Sequence, residues 1–236
     1  MKNFIFNFKQ FSVRNSLAAM KVGTDGVLLG AWCDVRNARK VLDVGTGTGL
    51  ISLMVAQRNN EAVIDAIEID YAASEEAAHN VANSPWADRI SVINADFSEY
   101  TPRCKYDLIV SNPPYFSNGI LPPDNSRMIA RHCKTLTYDL LISKAASILV
   151  PGGGIYIITP FEADNDITSL VSLNNLHICR KTFVRPKPNA KFKRILWQIG
   201  DEPCETIVDE LQIEKENHHE YTSQYIDLTK DFYLKM

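Results

Sequence analysis

The sequence predicts an α/β domain on a doubly wound, mostly parallel sheet of seven strands, and two observations carry that expectation. Short apolar runs of strand length alternate with helical patterns from residue 40 onward, the order that lays parallel strands side by side. The first of these runs ends in a glycine-rich turn that opens a helix, as at the ligand-binding edge of such sheets. With 236 residues, 45% of them apolar, the chain can bury a sizeable core. No internal repeat or linker divides it, so 1–236 reads as one domain, with residues 1–35 as a cover segment packed on it.

Phe4, Phe6 and Phe8, followed by Phe11 and Val13, alternate with other residues and suit a ribbon laid over apolar surface. Lys21 to Trp32 then offers Thr24 and Asp25 as a cap to an apolar helical run, whose N-terminal amides are either simply capped or hold a ligand carboxylate. Lys40 to Val44 is the first strand of the series, and Gly45, Gly47 and Gly49 turn it into a helix beginning near Leu50. A dinucleotide fingerprint needs its third glycine where Leu50 stands, and Asp43 puts negative charge at the turn. An amino-bearing or cationic nucleoside fits better than a pyrophosphate.

The second strand, Ala62 to Ile67, runs into Glu68, about 20 residues past the glycine turn, where an acid in this architecture accepts from ribose hydroxyls. Asp70 caps the helix Tyr71 to Asn83. After the third strand, Arg89 to Asn94, Asp96 is either a turn residue or an acceptor for an adenine amine, with Phe97 beside it to pack the ring.

The fourth strand, Tyr106 to Ser111, ends in Asn112-Pro113-Pro114-Tyr115. Two prolines fix φ and supply no N–H, so the strand stops, the backbone runs extended and the Pro113 carbonyl is left to accept from elsewhere. Asn112 and that carbonyl are two acceptors for an –NH2 group, and Tyr115 is a flat face for the planar system carrying it. A loop at 116–126 follows, and Arg127, Arg131, His132 and Lys134 form a basic cluster that is either a solvated helix face or a set of phosphate contacts. Thr137 caps a helix to Val150, Ile155 to Thr159 is the fifth strand, and a helix near Glu162 to Leu173 precedes a final strand pair at 176–185 and 192–199. Between and within that pair lie Arg180, Lys181, Arg185, Lys187, Lys191, Lys193 and Arg194 with no acid in the stretch 180–194, a ribbon suited to phosphates, with Phe183 and Phe192 as stacking faces. The acidic stretch Asp201 to Glu220 reads as surface, and Tyr225 to Leu234 as a returning edge element.

Composition narrows the function classes. The net charge of −3 leaves room only for local basic patches. Five cysteines without a C-x-x-C pair read as reduced thiols, with no metal site expected. No signal peptide and no membrane-spanning stretch is legible, so a cytoplasmic protein is expected.

Together, Asp43 with the three alternating glycines, Glu68, Asp96 and Asn112-Pro-Pro-Tyr115 resemble the class I S-adenosylmethionine-dependent methyltransferases of exocyclic amino or amide nitrogens. More narrowly, Phe8-Lys-Gln-Phe11, Lys21 to Trp32, Asn112 to Phe116, Ala130-Arg-His132 and Asp231-Phe-Tyr-Leu234 resemble the bacterial tRNA1(Val) adenine N6-methyltransferase family over nearly the whole chain. That resemblance implies a Rossmann-like sheet with an antiparallel last strand, S-adenosylmethionine as methyl donor and tRNA as partner of a monomer. It implies cofactor contacts from Thr24, Asp43, Gly45, Gly47, Gly49, Glu68, Asp96, Phe97 and Asn112. Chemistry would fall to Asn112, Pro113 and Tyr115, and RNA contacts to Arg131, His132, Arg185, Lys187, Lys191, Lys193 and Arg194. A protein glutamine N5-methyltransferase, a DNA adenine methyltransferase and a non-catalytic nucleoside- or RNA-binding module are the rival expectations.

Overall fold

The computed structural model of the protein describes residues 4–18, 21–115 and 136–236. A hairpin opens the chain, β1 (Ile5–Asn7) antiparallel to β2 (Ser12–Arg14). Helix α1 (Thr24–Trp32) leads to β3 (Lys40–Val44), α2 (Leu50–Arg58), β4 (Val63–Glu68), α3 (Tyr71–Ala82) and β5 (Ile90–Asn94). Beyond β6 (Tyr106–Ser111) come α4 (Tyr138–Ile148), β7 (Leu149–Pro160), α5 (Asp164–Leu173), β8 (His177–Arg185), β9 (Arg194–Gly200), β10 (Ile207–Gln212) and α6 (Ser223–Thr229).

One sheet takes the strands in the order β10-β8-β9-β7-β6-β3-β4-β5, and only β9 runs against its neighbours. The α/β class is as expected, and the seven expected strands are all present. The sheet has an eighth, however, so the antiparallel strand is not the last. The acidic stretch after Asp201 supplies β10, which pairs parallel with β8 at the edge. Its outward Ile207 and Val208 are exposed, while Asp209 and Glu210 are bonded by Arg180 and Arg185 of β8. An edge strand held by acids facing a neighbour's cations carries little apolar signal of its own.

The sheet is buried on both faces because its strands alternate between two cores. Val41, Leu108, Val110, Tyr156, Ile158 and Leu196 face α1 and α2, whereas Leu42, Ile109, Ile155, Ile157 and Trp197 face α4 and α5. Helices α1 and α2 approach closely because α1 presents glycines one turn apart. A Cβ on Gly26 would stand 3.1 Å from Leu50, and one on Gly30 would stand 2.8 Å from the sulfur and 3.0 Å from the Cβ of Met54.

The cover segment is fastened by polar groups of α3. Glu76 is buried, and its carboxylate accepts from the backbone N–H groups of Ser16 (2.7 Å), Leu17 (2.9 Å) and Ala18 (2.9 Å). One turn on, the Asn80 amide donates to the carbonyls of Arg14 and Thr48, both at 2.9 Å, and accepts from Arg14 N–H, so cover and glycine turn share one side chain. At the far end, Phe8 pairs with Tyr233 and Lys9 N–H donates to the Phe232 carbonyl. The returning C-terminal segment is thus α6 plus one bridge to the hairpin, not a sheet edge.

Cys179 of β8 and Cys204 are joined in a disulfide with their Cα atoms 5.5 Å apart, which corrects the expectation of reduced thiols throughout. The parallel register of β10 on β8 sets Ile207 opposite Arg180 and so brings Cys204 alongside Cys179. Cys33 is free and buried, and Cys104 is free and exposed. No helix among the described residues is long and apolar enough to cross a membrane.

The close helix pair gives a direct test. Gly30→Ala removes a helix-interior glycine, a gain of about 1 kcal/mol. It also drives a methyl into Met54, whose Cβ cannot retreat, at a cost of roughly 1–3 kcal/mol. The expected outcome is a lower denaturation midpoint at unchanged denaturant slope.

Candidate active site

The glycine turn is shaped by three left-handed residues, Gly45 (φ 71°), Gly47 (φ 58°) and Gly49 (φ 81°), a conformation that L side chains rarely adopt. A Cβ on Gly47 would meet nothing within 4 Å, so this face of the turn is open to a ligand. Beneath it Asp43 is fully buried. One carboxylate oxygen accepts from Thr46 Oγ1 (2.6 Å), Ser52 Oγ (2.7 Å) and Ser52 N–H (3.2 Å). The other, Oδ1, is buried with no hydrogen-bond partner. Burial pushes the Asp43 carboxyl up to about 6, against the opposing hydrogen bonds from Thr46 and Ser52.

Glu68 stands at the end of β4 with its carboxylate spanning the turn, Oε2 accepting from Gly47 N–H (2.9 Å) and Oε1 from Asp70 N–H (3.0 Å). Burial raises its pKa while those amides pull the other way. Asp70 caps α3 by accepting from Ala73 N–H at 2.8 Å, as expected. Asp96 is half-buried and its Oδ1 takes Ser98 N–H at 2.7 Å. Phe97 is packed in the core, with Lys144 Nζ over its ring at 5.2 Å from the centroid.

Asn112 to Tyr115 leave the carboxyl end of β6, beside the glycine turn. The two are tied together by Ser111, whose hydroxyl donates to the Val44 carbonyl at 2.7 Å. No hydrogen bond among the described residues reaches the Pro113 carbonyl, which the two prolines hold extended. The Tyr115 hydroxyl lies 2.7 Å from Asp25 Oδ2 and 3.0 Å from Asn112 Oδ1. A phenol has one O–H to donate, and the carboxylate is the stronger acceptor, so the Tyr115 O–H donates to Asp25 and the Asn112 oxygen stays available. Burial, and then the Asp25 charge, raise the pKa of Tyr115, keeping it a neutral donor. Arg194 completes the group. Its Nε donates to the same Asp25 oxygen at 2.8 Å, and its guanidinium covers one face of the Tyr115 ring at 4.7 Å.

This geometry reassigns several residues. Thr24 is not the cap of α1, because Gly23 occupies that position without a side-chain bond. Thr24 instead lines a cleft with the C-terminal residues, and the Asp25 carboxylate beside it would repel a ligand carboxylate at that helix terminus. Arg194 is committed to Asp25, Arg185 donates to Glu210 (2.6 Å) and Lys187 lies 3.6 Å from Glu214, so three of the expected RNA contacts already have acidic partners. Lys191 and Lys193 are exposed and make no ion pair among the described residues. Arg131 and His132 lie outside the described residues. Phe183 and Phe192 neither enter the core fully nor stand alone: with Phe161 they form a half-exposed cluster, ring centroids 5.2 to 5.9 Å apart. Asp25 as the holder of Tyr115 and Ser52 as a partner of Asp43 carried no signal beyond a helix cap and a helix interior.

Comparison with known proteins places this geometry. The Methyltransferase small domain family matches residues 17–177. The tRNA1(Val) (adenine(37)-N6)-methyltransferase of Phocaeicola vulgatus is 47% identical over 100% of both chains. The proteins of the same description in Parabacteroides distasonis and Trichodesmium erythraeum are each 44% identical, over 100% and 98% of both chains respectively. Among solved structures, a predicted O-methyltransferase from Agrobacterium tumefaciens superposes with a TM-score of 0.71 at 21% identity, covering 88% of this chain and 96% of its own. A 16S rRNA methyltransferase from T. thermophilus, in complex with AdoMet and guanosine, superposes with a TM-score of 0.55 at 19% identity, covering 84% and 50%. These two share the fold. The full-length relatives decide the family: the chain belongs to the tRNA1(Val) (adenine(37)-N6)-methyltransferases.

Proposed function

We propose that this protein transfers a methyl group from S-adenosylmethionine to the exocyclic N6 amine of a tRNA adenosine, the position 37 named for its relatives. The observation that carries the reading is a pair of acceptors, Asn112 Oδ1 with the shared Tyr115 hydroxyl near it and the Pro113 carbonyl with no hydrogen bond among the described residues, set beside a tyrosine ring that Asp25 and Arg194 hold still. An adenine amine is a poor nucleophile because its lone pair delocalises into the ring. Two acceptors that draw both N–H groups toward them favour the geometry in which the lone pair is free. The remaining face of Tyr115 stacks on the base, offsetting part of the few kcal/mol of unstacking, which is least for an unpaired loop nucleotide. Positioning and preorganised acceptors supply the catalysis, and no side chain has to act as general base before the amine attacks.

The residues present fit the methyl donor. Its sulfonium supplies the electrophilic methyl when bound. Asp43 Oδ1 is a buried anionic acceptor suited to the ammonium of an amino-acid moiety, the open face of Gly47 admits close approach, and Glu68 keeps lone pairs for ribose hydroxyls. Asp96 is the acceptor proposed for the adenine amine. The protein works as a monomer in the cytoplasm, where its tRNA is, with Lys191 and Lys193 of the basic turn, which make no ion pair among the described residues, as cations for the phosphates.

Transfer of labelled methyl into total RNA, DNA and protein fractions tests the reading. Label in tRNA as N6-methyladenosine is expected; label in glutamine or in DNA would move the assignment to those substrates. Asn112→Ala should keep cofactor binding and lose on the order of a hundredfold in kcat, since it removes one acceptor at the reacting centre. The charge pair Lys191→Glu with Lys193→Glu should weaken tRNA binding and reduce its salt slope by roughly 0.7–0.9 for each phosphate no longer neutralised, leaving cofactor affinity unchanged.

Asp43 makes a pH prediction. A raised carboxylate pKa means that its contribution to stability is full below the unfolded value and lost as pH rises through about 6. At neutral pH the free protein therefore bears a buried charge, which an ammonium relieves. Cofactor affinity should climb as pH rises through about 6 and level off above it. Asp43→Asn should flatten that profile, weaken binding by about 1.5–3 kcal/mol and leave the ligand-free protein at least as stable, read by calorimetry and thermal unfolding.

A further inference from the structure

Strands β6, β8 and β10 run parallel, so the chain that leaves β8 at Pro186 and β10 at Ile213 emerges on the same edge of the sheet as Asn112. There a cleft of about 650 Å³ opens between the N-terminal hairpin and the C-terminal segment. Thr24, the residue before the Asp25 that holds Tyr115, stands in its wall, and so does Pro186 of the basic turn. The cleft thus has in its wall the residue next to the one that holds Tyr115.

Its lining is aromatic. Phe6 and Tyr233 meet edge to face with centroids 6.2 Å apart, and Tyr221 packs on the buried Tyr225 at 5.2 Å. Phe6 remains 38% exposed and Leu234 59%, and the neighbouring Phe4 and Ile5 are also exposed, so the rim is an apolar patch that the fold does not cover. The polar groups of the wall are Asn7, Thr24, His219, Lys235, the tyrosine hydroxyls and the carboxylate of Glu214, which His218 and the His219 N–H hold in position. A carboxylate accepts only, so the group it would select is a donor such as an exocyclic amine.

Flat rings around a volume of ligand size, with an oriented carboxylate among the polar groups, are the means by which proteins hold unstacked bases of single-stranded RNA. We propose that this cleft binds a second, unpaired nucleotide of the RNA substrate, an amino-bearing base close to the target adenosine in the same loop, and so helps to present that adenosine to Tyr115. The inference rests on the RNA reading of the active site. A loop whose neighbouring base is drawn into the cleft loses its own stacking, and the target base then leaves the stack at lower cost.

The experiment uses the full chain and an anticodon stem-loop RNA carrying 2-aminopurine at each loop position in turn. With the wild type, one position besides the target should change fluorescence on binding. Phe6→Leu with Tyr221→Leu keeps apolar bulk but removes two rings. It should abolish that change and raise KM for the RNA about tenfold, within the range expected for loss of base–aromatic stacking. Cofactor affinity should stay the same, and kcat should move by no more than about twofold, since neither residue touches the reacting amine. Phe6→Trp, which restores a ring, should recover the signal where Phe6→Leu loses it. If the wild type methylates the RNA while both leucine changes leave KM and every fluorescence position unaltered, the cleft inference falls and the active-site reading stands. If the wild type methylates no RNA, both fall. A dimer in sedimentation that Phe6→Leu disperses, with KM unchanged, would assign the patch to a second copy of the chain and overturn the proposal.

Discussion

The carboxylate of Asp25 is the point on which the site depends. It accepts hydrogen bonds from the Tyr115 hydroxyl and from Arg194 Nε, and so brings together three parts of the chain that are remote in sequence: the first turn of α1, the turn after β6 and the start of β9. The Arg194–Asp25 pair is partly exposed, at 30% and 23% of the side chains, so its net contribution to stability is modest. Its value is geometric. A tyrosine whose hydroxyl is committed and whose ring is covered on one side has a single remaining face and a fixed tilt, which is what a stacked base requires.

A second electrostatic arrangement explains why a basic ribbon exists in a chain of net negative charge. Arg180, Lys181 and Arg185 on β8 are met by Asp209, Asp164 and Glu210 from the strand and helix beside them. Like charges crowded along one strand are tolerable only when a neighbour supplies the opposite sign within reach. The cations of β8 are therefore the counterpart of the acids of β10 and α5. Along this ribbon, Lys191 and Lys193 in the turn beyond the paired region are exposed and make no ion pair among the described residues, so they keep charge to offer a polyanion.

These arrangements show what can be read from a sequence and what cannot. The glycine turn and the Asn-Pro-Pro-Tyr motif were legible because their constraints are local: left-handed φ calls for glycine, and consecutive prolines end a strand wherever they occur. The role of Asp25 was not legible, since a capping acid and an acid that holds the hydroxyl of Tyr115 look alike until β9 is folded against α1. The same holds for β10, whose stability comes from cations some 30 residues earlier, and for Cys179 with Cys204, which a strand register brings together across a separation of 25. Phe97 shows the converse, an aromatic next to a strand-end acid whose ring turns inward to the core, which its position in sequence did not reveal.

The fastening of the hairpin has a consequence for how the molecule is made. Glu76 must be in place before Ser16, Leu17 and Ala18 have a binding partner, and Phe8 and Lys9 find theirs only at Phe232 and Tyr233. During synthesis from the N-terminus, Phe8 leaves the ribosome long before Phe232 and Tyr233 do. Its ring therefore waits without those neighbours until they emerge, open meanwhile to the chaperones that attend nascent chains.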